Sequence, residues 1–102
     1  MLKRIFLSKV RVYPESRENI SIMWQPDENE IYDLFLQKVL QRKKPQVNAY
    51  WSRMLFTGKA LLPEQGADDS AVIDFVKNNP QGIGYVYSSS VTEDVRVIAT
   101  YP

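Results

Sequence analysis

Among residues whose type and spacing could do chemistry, Asp27, Glu28 and Glu30, with Asp68-Asp69 further on, come closest to acid–base work or a cation site. Such carboxylates need a nearby base, a nucleophile or further ligands at fixed offsets, and none stands beside them. Ser88-Ser89-Ser90 offers hydroxyls, but a serine nucleophile needs an activating base and the chain has no histidine. It has no cysteine either, which excludes disulfides, thiolate metal sites and a cysteine nucleophile. The expectation is a protein that is not an enzyme, with no catalytic residue, no metal and no cofactor. Thr57-Gly58-Lys59 has the end of a phosphate-binding loop without its first glycine or the strand before it, and reads as a helix stop. Trp24, Tyr50 and Trp51 could stack a sugar, yet their positions on apolar faces assign them to a core.

Gln41-Arg42-Lys43-Lys44 could touch nucleic acid, but cations at a helix C-terminus also complement the helix dipole. With thirteen basic and twelve acidic residues the net charge is +1, so no wider positive surface supports that role. No nucleic-acid partner is expected. No apolar run approaches the roughly 20 residues that cross a bilayer, so no membrane insertion is expected. Met1 to Leu7 holds a short apolar stretch without a small-residue cleavage site and does not read as a signal peptide.

The elements that must position these residues follow from periodicity. Leu2, Ile5 and Phe6 share a helical face without a cap before them, so residues 2–7 read as the tail of a helix. Arg11 to Asn19 is a short extended piece and a turn around Pro14. Ile20, Ile22 and Trp24 alternate with Ser21, Met23 and Gln25, which predicts a strand. Asp27 and Glu30 fit a capping box opening a helix to about Gln41, with Ile31, Leu34, Phe35, the Lys38 stem and Val39 facing the core.

Pro45 suits the first turn of a second helix, which buries Val47, Tyr50, Trp51, Met54 and Leu55 and ends at Thr57-Gly58. Residues 59–67 form a loop. Asp68 or Asp69 caps a third helix with Val72, Ile73, Phe75 and Val76 as its apolar positions, stopped by Asn78-Asn79-Pro80. Gly82 to Tyr87 is a short strand, Ser88-Ser89-Ser90 a bend, and Val95 to Ala99 a final strand. Strands joined through helices predict one α/β domain over residues 1–102, with a small mixed, partly parallel sheet flanked by helices.

Several stretches together resemble the phosphate-type periplasmic substrate-binding proteins of ABC transporters, especially short single-lobe relatives. They are Ile5 to Lys9, Trp24-Gln25-Pro26, Phe35 to Leu40, Asn48 to Lys59, and Asn79 to Val86. The more specific part is the Tyr-Trp-Ser-Arg…Phe-Thr-Gly-Lys block at 50–59 with the later Pro80-x-Gly82-Ile83-Gly84-Tyr85. The resemblance implies a lobe of the periplasmic-binding-protein fold, an extracytoplasmic setting, no cofactor, and a strand and most of a helix before Leu2. An apolar edge left by that segment predicts a homodimer, with exchanged termini as one form.

Members of that family hold phosphate with an arginine, an aspartate two positions on, and Ser-Gly-Thr opening a helix. In this sequence the arginine falls on Gln25, the aspartate on Asp27 and Ser-Gly-Thr on Asn29-Glu30-Ile31; only Asp27 agrees. Gln25 brings no charge and Ile31 no hydroxyl, while Glu28 and Glu30 add carboxylates that repel an anion. The expected ligand residues are Gln25, Asp27, Asn29 and Glu30, with Ser52, Arg53 and Lys59 as outer members. The site is expected to prefer a small polar or cationic ligand over phosphate.

Overall fold

In a computed structural model the described residues are 2–58 and 63–101. The chain is a small α/β domain whose order is α1 (Leu2–Phe6), β1 (Ser21–Trp24), α2 (Glu30–Phe35), a π-helical turn (Leu36–Leu40), α3 (Lys44–Phe56), β2 (Glu64–Gln65), α4 (Asp69–Asn78), β3 (Gly82–Ile83) and a 3₁₀ turn (Ser88–Ser90). The three strands form one sheet in the order β2-β1-β3. Both pairings are parallel, with Met23 and Trp24 opposite Glu64 and Gln65, and Ser21 and Ile22 opposite Gly82 and Ile83. The described sheet is thus wholly parallel rather than mixed. Parallel neighbours need crossovers, which α2 with α3 supplies before β2 and α4 supplies before β3.

Three sequence expectations change here. The loop expected at 59–67 contains β2, whose two residues are polar and exposed and so carry no apolar period. Residues 59–62 of that loop lie outside the described residues. The strand expected at 82–87 is confined to Gly82–Ile83, because Gly84 to Tyr87 turn toward α4 and the end of β1. The final strand expected at Val95 to Ala99 does not form: among the described residues these positions enter no strand pairing. The bridge of Val12 to Asn19 closes the turn around Pro14 and stays outside the sheet.

β1 does not keep the simple alternation read from its sequence. It is the central strand, so at its end Met23, Trp24 and Gln25 are all buried. Trp24 is the hub of the core. Its ring meets Phe6, Phe35, Trp51 and Tyr85 edge-on at centroid distances of 6.1, 5.3, 6.1 and 6.2 Å. Phe35 and Tyr85 stack nearly parallel at 3.9 Å. These three aromatic residues clamp α2 and the segment after β3 onto β1. Trp24 and Trp51 are core members, not a sugar platform, and Tyr50 beside them donates its hydroxyl hydrogen to the Leu7 carbonyl.

The helices bury faces shifted from those expected. Along α2 and the π turn the buried residues are Ile31, Tyr32, Phe35, Leu36 and Leu40, while Lys38 is exposed and Leu34 and Val39 only half-buried. The wider π turn keeps Leu36 and Leu40 on the core side and ends at Gln41 in the left-handed region, φ 56°. α3 buries Val47, Tyr50 and Trp51 but leaves Leu55 and Phe56 exposed. Gly58 closes it with φ 70°, as a left-handed helix stop requires.

The one fully buried side chain of α4 is Val72, while Phe75 approaches Gly82 of β3 beside it. Val72 is 2% exposed, with its two methyl groups toward Gly66 after β2 and Gly84 after β3. A Cβ on Gly84 would lie 2.5 Å from Val72 Cγ1, and a helical valine has almost no rotamer to escape into. Gly84→Ala is therefore expected to lower stability by about 1–3 kcal/mol, a fall in Tm of at least ~4 °C for a domain of this size. An unchanged thermal melt would show that α4 is not seated through this contact.

Candidate functional site

In a parallel sheet whose successive connections leave on opposite sides of one strand, a crevice opens beyond the strand C-termini, and ligands bind there. Here β1 is that strand: the chain passes to β2 on one side and, through α4, to β3 on the other. An open cleft of about 500 Å³ lies at this place, lined by Gln25, Glu28 to Ile31, Ala67 to Asp69, and Tyr87. Gln25 comes from the end of β1, Ala67 to Asp69 from the segment after β2, and Tyr87 from the segment after β3.

Gln25 directly follows β1 and is 2% exposed. Its side-chain amide nitrogen donates to Asp69 Oδ1 at 2.6 Å and to the Tyr85 carbonyl at 3.1 Å. Its amide oxygen accepts from Asn29 Nδ2 at 3.1 Å, and Asn29 also donates to the Ala67 carbonyl at 2.9 Å. The Gln25 backbone N–H donates to the Tyr85 hydroxyl at 2.9 Å. Both amide hydrogens are thus committed, and the side chain has no donor left for a ligand.

Asp69 is the second member of this node. Its Oδ1 takes the Gln25 hydrogen bond, while Oδ2 accepts from the Tyr87 backbone N–H at 3.1 Å and the Ser90 hydroxyl at 2.6 Å. A carboxamide, a backbone amide and a hydroxyl converging on one carboxylate is the donor set that oxyanion sites use. The neighbouring Asp68 does the capping, accepting from the Ala71 backbone N–H at 2.9 Å. One acid of the pair caps α4 and the other crosses to β1.

Of the expected site residues, Gln25, Asn29 and Glu30 meet in this cleft. Asp27 does not cap α2: Asn29 is the residue before the helix, and no side chain caps it. Asp27 instead pairs with Lys44 at 3.0 Å on the exposed surface, so the Asp27–Glu30 capping box is not formed. Ser52 and Arg53 lie on the exposed side of α3 and line no part of the cleft, the Arg53 guanidinium carbon standing 5.9 Å over the Tyr50 ring. Lys59 lies outside the described residues.

Asp69, Tyr85, Tyr87 and Ser90 were not anticipated as members of the site. The one signal for Asp69 was its place beside Asp68: a helix start needs one capping acid, which frees the second. The basic run 41–44 lines a separate open cleft with Asp33, Leu36, Gln37 and Gln46, where Lys44 is already paired with Asp27.

The site's electrostatics are acidic. Glu28, Glu30, Asp68 and Asp69 line the cleft, and among the described residues lining it there is no lysine or arginine. The Tyr87 phenol at its rim is pushed up by desolvation and then by the Glu30 and Asp69 carboxylates. The Tyr85 phenol is raised further, chiefly by burial, although its hydrogen bond with Gln25 acts the other way.

A phenol kept neutral in the fold but free to ionise when unfolded stabilises the fold below its usual pKa of 10.0. That contribution is lost as pH rises above about 10, because only the unfolded state then releases the proton. Tyr85→Phe keeps the stack on Phe35 but orphans the buried Gln25 N–H, at a cost of about 1–3 kcal/mol at neutral pH. Melting curves should show the variant less stable at pH 7 and losing less stability than wild type between pH 9 and 11. Parallel losses in the two proteins would refute the assignment. Compared with protein-family models, curated proteins and solved structures, the chain matches none.

Proposed function

We propose that this chain is a non-enzymatic domain related to the lobe of a phosphate-type substrate-binding protein, in which the chain's own Asp69 carboxylate takes the place of the anion. The observation that carries this reading is the Gln25–Asp69 node: the glutamine standing where the resemblance puts an arginine holds a carboxylate at 2.6 Å at the sheet's switch point. The Tyr87 amide and the Ser90 hydroxyl complete the set of donors on that carboxylate. The helix starts near the cleft, whose positive poles favour anions, already face Glu30, Asp68 and Asp69. A small ligand that enters the remaining space is polar or cationic, since it meets four carboxylates. The setting this reading implies is extracytoplasmic.

Thermal melts with added anions test it. Millimolar phosphate is expected to leave the wild-type Tm unchanged, and a rise of several degrees would overturn the reading. Asp69→Ala vacates the carboxylate position while leaving Gln25, Tyr87 and Ser90 in place. That variant should melt lower than wild type and recover several degrees with tens of millimolar formate, which wild type should not. Binding only to the folded state stabilises by mass action, so the recovery should grow with formate concentration. A destabilised variant with no response to formate would reduce Asp69 to a packing role.

A further inference from the structure

The second open cleft, of about 540 Å³, lies between the π turn and the start of α3. Its charge is opposite to that of the cleft at the sheet: Arg42, Lys43 and Lys44 line it against one acid, Asp33. The backbone sets the first of these cations in place. The π turn ends at Gln41 in the left-handed region, φ 56°, and the Arg42 N–H then returns to the Leu36 carbonyl at 3.1 Å. Arg42 is thereby folded back over the turn and half-buried.

Arg42 is the unsatisfied member of this set. Its Nε is buried without a hydrogen-bond partner, and among the described residues no carboxylate pairs with the guanidinium. Of the three cations only Lys44 is paired, with Asp27 at 3.0 Å. A charged donor taken from water without an acceptor costs its full desolvation, and folded proteins rarely leave one so. The end of α3 adds little: Pro45 has no N–H, while Gln46 and Val47 donate to the Lys43 carbonyl at 3.0 and 3.1 Å. Recognition in this cleft therefore rests on side chains and not on a helix terminus. Guanidinium and ammonium groups only donate, so what they hold must supply acceptors and negative charge. A lone phosphate would fill a small part of such a cleft and meet one cation at a time.

We propose that this cleft binds a small organic ligand carrying at least two oxyanion groups, phosphate or carboxylate, with Arg42 holding one and Lys43 and Lys44 the other. Asp27 competes for the Lys44 ammonium, so the ligand and Asp27 share that cation. The site shares no lining residue with the cleft at the sheet, and the inference is independent of the Asp69 reading.

Backbone amide chemical shifts of the full chain, followed at constant ionic strength during titration with pyrophosphate and separately with citrate, test the proposal. At least one of the two should give saturable shifts confined to residues 36–46, with a Kd at or below about 1 mM. Pyrophosphate alone would identify phosphate groups as the feature recognised, and citrate alone carboxylates. Inorganic phosphate should bind about ten-fold more weakly, too weakly for millimolar amounts to move the Tm. Arg42→Gln should weaken binding at least about ten-fold, and Lys43→Gln, at an exposed side chain, several-fold. Asp27→Asn, which releases Lys44, should tighten it several-fold, an outcome that a purely structural ion pair would not give. Absence of saturable shifts up to about 10 mM, shifts centred on residues 25–31, or binding unchanged in both Arg42→Gln and Lys43→Gln would overturn the proposal. So would Asp27→Asn binding no tighter than wild type, or phosphate binding as tightly as either probe. A single-stranded DNA oligonucleotide that outcompetes both probes would make the run 41–44 a nucleic-acid contact and overturn it as well.

Discussion

The contact on which the site depends is the hydrogen bond between the Gln25 side-chain amide and the Asp69 carboxylate, 2.6 Å long at the end of the central strand. It joins the end of β1 to the first residue of α4, and Asp69 in turn holds the turn at 87–90 after β3. An ordinary hydrogen bond contributes about 1 kcal/mol net, and bonds to charged groups about 1.5–3. Asp69 has three such donors. Leaving the buried Gln25 amide without partners would cost its full desolvation, so the node is held more firmly by what breaking it would expose than by its gross strength.

A sheet this small cannot hold its strands by backbone pairing alone. β1 shares only two aligned residue pairs with each neighbour, fewer than an independently stable sheet requires. Packing supplies the rest. Trp24 is surrounded by Phe6, Phe35, Trp51 and Tyr85, and burying one such aromatic side chain stabilises by about 1.5–3 kcal/mol. The same residues place the site. Tyr85 stacks on Phe35 with its ring while its hydroxyl accepts from the Gln25 backbone N–H, so core packing fixes the height of the node above the sheet. Val72 between Gly66 and Gly84 performs the corresponding task for α4, which carries Asp69.

Much of this was legible in the sequence, and the rest was hidden for definite reasons. The helix around Tyr50 and Trp51, its stop at Gly58 and a cap at Asp68 or Asp69 follow from local rules, which suffice for features within one or two turns; the fold assigns the cap to Asp68. The pairing of β2 could not be read, because Glu64 and Gln65 owe their strand character to β1 alone. Val95 to Ala99 shows the converse: it has strand propensity, but propensity alone forms no ladder, and these residues pair with no strand among those described. Within the site, Gln25, Asn29 and Glu30 lie close together in sequence and were found together. Asp69 lies 44 residues from Gln25, and no periodicity links positions so far apart.

The difference between a site that binds an oxyanion and one that holds a carboxylate of its own chain is a covalent tether. A free ligand gives up translational and rotational freedom on binding, a cost of several kcal/mol, whereas Asp69 is delivered by α4 when the chain folds. A carboxylate tethered to the chain needs no arginine to attract it from solution, and the neutral Gln25 amide suffices to hold it. The acids around the cleft follow the same logic. Glu28 and Glu30 would repel an incoming anion, yet they are exposed, and solvent screening keeps their repulsion of Asp69 small. On the proposed reading, an acid-lined cleft and an uncharged residue at the head of the sheet therefore go together, because the carboxylate held there belongs to the chain.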